Sequence, residues 1–154
     1  MSDLRRQKQA YRHDPANGVF GDCNRTAIAC VLGVERDELP HVHRDMNSEE
    51  FEAFTKGFLA DRGLHLISVP VNAPSVSEAM LFGHMRGGGI PFILGGQSPR
   101  GVNHSVVCFS QDDLHDPGLE GGGLVGPCEP DGFFWCDWIV KLPGLRPLQG
   151  DGNA

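Results

Sequence analysis

The apolar residues of this chain change their spacing at the triplet Gly87-Gly88-Gly89. Before it most of them recur every third or fourth residue, and after it they gather in short β-branched and aromatic runs. That order restricts the fold to helices first and a sheet after. The stretch from Cys23 to Gly33 reads as a helix, with Ala27, Ile28, Val31 and Leu32 on one face and Gly33 as its stop. A second helix starts at Asn47, which can cap it with Glu50 as capping-box partner, and carries Phe51, Phe54, Phe58 and Leu59 toward Gly63. Residues 64–69 read as a strand. Ser75 and Glu78 open a third helix by the same logic, with Val76, Ala79 and Met80 on its apolar side and the glycine triplet at its end. Strands follow at 90–94, 105–109, 114–115 and 133–142, and Ser110-Gln111-Asp112-Asp113 is a hairpin turn between two of them. The expectation is an α+β fold with helices packed on a mostly antiparallel sheet.

A length of 154 residues suits one domain. The expected division is an arm over 1–15, the folded domain over 16–145 and a flexible tail over 146–154. Net charge is −7, which argues against a general phosphate-binding surface, so nucleic acid is not an expected partner. The basic run Arg5-Arg6-Gln7-Lys8, with Arg12 nearby, reads as a solvated arm. No stretch approaches the roughly 18 consecutive apolar residues of a membrane span. The start, Met-Ser-Asp-Leu-Arg-Arg, lacks the apolar core of a secretory signal, so the chain reads as cytoplasmic with no membrane contact. Five cysteines, at 23, 30, 108, 128 and 136, give an odd count without a paired framework, and free thiols are expected. There is no Cys-x-x-Cys pair, so a zinc site would have to be assembled from the scattered His41, His43, Cys128 and Cys136; neither a metal nor another cofactor is expected.

Glycines cluster at 83–101 and 118–132, which predicts long turn-rich loops there. Gly18 and Gly21 suit a tightly turned approach that leaves Cys23 in the first turn of its helix, where unsatisfied N–H groups favour a thiolate. Cys30 and Cys108 sit inside apolar runs and read as core, while Cys128 and Cys136 fall in or beside loops. A cysteine nucleophile needs a base within hydrogen-bond reach, and the base needs an orienting partner. His104 stands at the entry to an apolar strand in Asn103-His104-Ser105-Val106-Val107. Asp116 follows the next short strand in Leu114-His115-Asp116-Pro117, so a hairpin would bring it beside His104.

Three segments resemble the motifs of papain-like cysteine peptidases, especially the bacteriocin-processing type that acts after double-glycine leaders. They are Gly21-Asp22-Cys23-Asn24-Arg25-Thr26-Ala27, His104-Ser105-Val106-Val107 and His115-Asp116-Pro117-Gly118. The resemblance covers the order of elements from about Asn17 to Leu142, and only these short motifs are specific. It implies a papain-like fold, a catalytic set of Cys23, His104 and Asp116, and a peptide or protein substrate. In that family a glutamine six residues before the cysteine helps form the oxyanion hole; here the position is Asn17, which keeps the amide but is one methylene shorter and also suits an Asn-Gly turn. Arg25, where the family has a small residue, is expected to restrict what approaches the thiolate, and Asn103 is assigned with it to substrate binding. His115 is the alternative partner of His104, because cell-wall endopeptidases of a related type often use a histidine there.

Two functions compete. The first is an amide hydrolase working through an acyl-enzyme, with deamidation and acyl transfer open to the same scaffold. The second is a binding or inhibitory module, such as an accessory protein of a phage or mobile element, that keeps the scaffold without turnover.

Overall fold

Helix α1 (Cys23–Leu32) stops where Gly33 takes a left-handed conformation at φ 69°, and its N–H closes the last turn on Ala29 and Cys30. Helix α2 (Ser48–Ala60) carries a complete capping box: Asn47 Oδ1 accepts from the Glu50 N–H, and Glu50 Oε2 accepts from the Asn47 N–H. Ser75 caps α3 (Val76–Arg86) by accepting from the Glu78 N–H. Five strands complete the fold: β1 (Leu64–Val71), β2 (Phe92–Gln97), β3 (Asn103–Ser110), β4 (Asp113–His115) and β5 (Phe134–Lys141). The molecule is described from a computed structural model, which covers residues 3–141. The proposed tail at 146–154, and Leu142 at the end of the expected last strand, lie outside the described residues.

Every ladder is antiparallel, in the order β1-β5-β2-β3-β4. Among the described residues the fold is therefore α+β, with three α-helices and one five-stranded antiparallel sheet. Both faces of the sheet are covered. Ile93 and Val107 pack with Ala27, Ile28 and Cys30 of α1 and Phe51 of α2. Phe92, Leu94, Val106, Cys108, Phe134, Cys136 and Trp138 pack on the other face with Ala79 and Met80 of α3. Double coverage explains why β2 and β3 read as unbroken apolar runs rather than as alternating ones. Cys136 belongs to this core, in the middle of β5, and not to a loop as its neighbours in sequence suggested. All five cysteines are free thiols.

The last strand enters the interior of the sheet, between β1 and β2. The chain leaving the edge strand β4 must therefore pass the ends of β3 and β2 before it pairs as β5. That crossing carries the glycine-rich 118–132 segment over the sheet end where His104 begins β3. Among the described residues no helix is long and apolar enough to cross a membrane.

The segment read as a solvated arm is instead docked along α1 and β4. Gln9 is only 6% exposed, and its N–H donates to Pro117 O at 2.8 Å. Gln7 Nε2 donates to Val34 O, and Gln7 O pairs with His115 Nε2 at 2.7 Å. The Ala10 and Tyr11 N–H groups both donate to the carboxylate of Asp22. That carboxylate also holds Arg25 Nε at 2.9 Å, and the two side chains are 0% and 4% exposed. Arg25 donates further to Leu39 O at 2.8 Å.

Removing one member of a buried ion pair leaves the other charge uncompensated. Arg25→Met is therefore expected to destabilise the fold by about 3–5 kcal/mol, read as a lower urea midpoint at unchanged slope. A loss below about 1 kcal/mol would show that the pair carries no weight in this fold.

Candidate active site

Cys23 is the first residue of α1. The residue before it, Asp22, makes no side-chain cap to its own helix, because its carboxylate is engaged by the arm and by Arg25. The first-turn N–H groups at Cys23 are thus left without a side-chain acceptor from that position. His104 lies on β3, opposite Gly96 of β2, with Asp116 just past β4. The β3–β4 hairpin brings His104 Nε2 to 2.6 Å from Asp116 Oδ1, and Cys23 lines the same cleft close enough to the imidazole to help raise its pKa. With Nε2 on Asp116, Nδ1 is the nitrogen left for the thiol. The structure thus brings Cys23, His104 and Asp116 to one cleft from two different elements and a loop.

Asp116 is held on both oxygens. Oδ1 accepts from the Gly118 N–H and Oδ2 from the Gly123 N–H, each at 2.6 Å. The sequence reading singled out neither glycine for this role, although Gly118 closes the Asp-Pro-Gly segment. A Cβ at residue 118 would stand 2.8 Å from Asp116 Oδ1 and 3.1 Å from His104 Nε2, so only glycine fits beside the pair. Gly123 reaches its carboxylate oxygen with φ 69°, a conformation that side chains disfavour. Lys8 fastens the same turn from outside by donating to the carbonyls of Asp116 at 2.8 Å and Gly118 at 3.0 Å.

Burial is the largest single influence on the His104 imidazole and pushes its pKa down. The hydrogen bonds and charges of Asp116 and Cys23 outweigh it and raise the value to about 9. Burial likewise pushes Asp116 up, but His104 and the two glycine N–H groups hold it down at about 2. The pair is thus arranged as an imidazolium beside a carboxylate. The thiols of Cys108, Cys128 and Cys136 are pushed by burial to about 12, 11 and 12, which leaves them poor thiolates.

These residues open on a cleft of about 360 Å³. The loops 98–103 and 118–123 form one side of it, as the chain connectivity of His104 and Asp116 requires. The 118–132 segment is turn-rich but anchored: Gln97 and Gly126 exchange a main-chain contact at 2.8 Å, Gly123 is tied to Asp116, and Asn103 holds Glu129. The opposite wall is aromatic and imidazole-rich. Phe20 packs between His43, at 4.3 Å between ring centroids, and His13, at 5.9 Å. The buried His41 stacks on Tyr11 at 4.5 Å and sets its Nε2 against Phe20 O. Sequence reasoning missed this wall because its members come from stretches without periodic patterning.

Asn17 and His115 fall outside the roles expected of them, while Arg25 and Asn103 line the cleft with their side chains engaged by other groups. Asn17 is exposed, ends a short 3-10 turn and donates its amide to Asp14 Oδ2 at 2.7 Å, outside the cleft. Its Asn-Gly turn prevails, with Gly18 left-handed at φ 73°. Arg25 lines the cleft, but its guanidinium is tied to Asp22 and to Leu39 O. Asn103 lies at the cleft rim, but both its side-chain atoms bind the backbone of Glu129, at 2.8 and 3.0 Å, so it clamps a loop. His115 faces Gln7 O rather than His104. Among the described residues no group of three or more His, Cys, Asp and Glu side chains is placed to hold a metal ion.

Comparisons with protein-family models, with curated proteins and with solved structures return no match.

The two shifts act on stability from opposite sides. Asp116, lowered from its ordinary 3.8 to about 2, contributes stability that is complete above pH 3.8 and is lost as pH falls through about 2. His104, raised from 6.5 to about 9, contributes stability that is complete below pH 6.5 and is lost as pH rises through about 9. The His104 ring proton, followed by NMR, is expected to titrate near 9 in the native protein and at lower pH in Asp116→Asn. A native titration at or below 6.5 would mean that the pair does not form.

Proposed function

We propose that the protein is a cysteine-dependent amide hydrolase of papain-like fold, acting on a peptide or protein substrate with Cys23 as nucleophile, His104 as acid and base and Asp116 as the group that orients the imidazole. The observation that carries the reading is the imidazole of His104 bonded to a doubly anchored Asp116 carboxylate, with Cys23 at the start of α1 lining the same cleft. A nucleophile at the start of a helix that packs on an antiparallel sheet, with the base opening a sheet strand, is what supports the papain-like assignment. The reading places the enzyme in the cytoplasm and needs no cofactor.

In the first step Cys23 Sγ, as thiolate, attacks the carbonyl carbon and the carbonyl electron pair moves onto oxygen. The uncapped N–H groups of the first turn of α1 take the role of the oxyanion donor that Asn17 is too far away to fill. The tetrahedral adduct collapses, the C–N bond breaks, and the leaving amine takes the proton from His104 Nδ1. Water then attacks the thioester while His104, now neutral, accepts its proton; the carboxylic acid departs and the thiolate is restored beside the imidazolium. Asp116 accepts the Nε2 proton's hydrogen bond throughout and stays ionised, as its low pKa allows.

A peptidyl vinyl sulfone supplies the test. Cys23 is expected to be labelled selectively among the five cysteines, and His104→Ala to lower both labelling and turnover of a peptide amide by about 10²–10⁴-fold. Labelling of Cys23 at the rate of a free thiol, unchanged in His104→Ala, would reject the enzyme and favour a scaffold that binds without turnover.

A further inference from the structure

A second cavity of about 270 Å³ lies beside the Cys23 cleft, and the two share a wall made by Asn24 and Phe51. Its sides are hydrocarbon, from Ile28, Leu59 and Leu66. Its polar groups stand where the surrounding pattern calls for apolar ones. Asp137 is in the middle of β5, opposite Ile93 of β2 and Ser68 of β1, and its carboxylate accepts a hydrogen bond from the Ser68 hydroxyl. Thr55 of α2 is 8% exposed, and its Oγ1 is buried without a hydrogen-bond partner among the described residues.

A half-buried carboxylate with one neutral partner is left partly uncompensated, and the buried unpaired hydroxyl of Thr55 adds to the cost. Burial accordingly raises the pKa of Asp137. Both groups line the same cavity, and a cation with several N–H donors would satisfy them together. The nearby cation of the chain is already engaged: Lys56 Nζ lies 2.9 Å from Glu52 Oε1 at the rim, where both side chains are 69% exposed. The volume accommodates one long side chain and no folded segment.

We propose that this cavity is a specificity pocket for a lysine or arginine side chain of the substrate, its aliphatic stem against Ile28, Leu59 and Leu66 and its charged head on Asp137, Ser68 Oγ and Thr55 Oγ1. The peptide backbone then crosses the shared wall at Asn24 and presents the neighbouring amide to Cys23. The inference rests on the amide-hydrolase reading for its substrate, and on the cavity alone for its choice of a basic side chain.

Two measurements on the full chain test it separately from that reading. Peptidyl acyloxymethyl ketones with arginine or norleucine at the first or second residue before the electrophile are compared by their rate of Cys23 labelling. The arginine probe is expected to react about tenfold faster at one of these positions. Asp137→Asn is expected to bring the ratio near unity, chiefly by slowing the arginine probe, and Thr55→Val, which keeps the carboxylate, to reduce the ratio in part and to serve should Asp137→Asn not fold. Equal rates for the two probes in the native protein, or a ratio that neither variant lowers, would overturn the pocket and leave the hydrolase reading standing. The second measurement needs no turnover: acetyl-arginine amide is titrated while the backbone amides of Thr55 and Asp137 are followed by NMR. Shifts that disappear in Asp137→Asn support the pocket even if Cys23 proves unreactive, and their absence up to about 10 mM overturns it.

Discussion

A carboxylate buried at the start of a helix must be met by donors and positive charge, and Asp22 gathers its donors from two separate parts of the chain. Its oxygens take the N–H groups of Ala10 and Tyr11 from the arm and the guanidinium of Arg25 from α1 itself. Its backbone carbonyl takes both the N–H and the hydroxyl of Thr26. The arm held in this way reaches on to Pro117 through Gln9 and to the carbonyls of Asp116 and Gly118 through Lys8. The nucleophile end and the carboxylate end of the proposed site are thus referenced to the same strap of chain. The residue beside Cys23 serves architecture, and Cys23 is left facing the cleft.

The second determinant is strand order. Because β5 is inserted between β1 and β2, the connection from β4 has to cross the end of the sheet, and the site is roofed by that crossing. Glycine makes the roof work in two places. At residue 118 there is no room for a Cβ beside the Asp116–His104 pair, and at residue 123 the backbone must turn left-handed to aim its N–H at the carboxylate. A segment that composition marks only as a loop therefore adds to the hydrogen bond of His104 in holding the pKa of Asp116 down. This coupling of roof and base is why the loop is part of the site and not merely its border.

The same sheet carries the acidic position that organises the neighbouring cavity. Asp137 stands half-buried on the mostly apolar face between α1, α2 and the sheet, and among the described side chains Ser68 is its hydrogen-bond partner. A polar exception in a layer that could have been filled with hydrocarbon is a stronger pointer to a ligand than a polar group at the surface, because its desolvation has to be offset by something.

Local signals in the sequence determined the three helices and their caps, since Asn47 with Glu50, Ser75, Gly33 and the glycine triplet act within one turn of chain. They also determined the approximate strands and the α+β class, because apolar periodicity reflects which faces must leave water. The motifs named Cys23, His104 and Asp116, and the β3–β4 hairpin made the approach of the last two foreseeable from a short turn. What lay beyond sequence was every contact made at long range or by direction. Arg25, two residues from Cys23, is held by Asp22, Asn103 is held by Glu129, and Asn17 pairs with Asp14 outside the cleft. The docking of the arm, the interior place of β5, the aromatic wall and the two glycine donors were decided only by tertiary structure. Each depends on which distant groups must share a buried space once the sheet closes, and no local pattern records that.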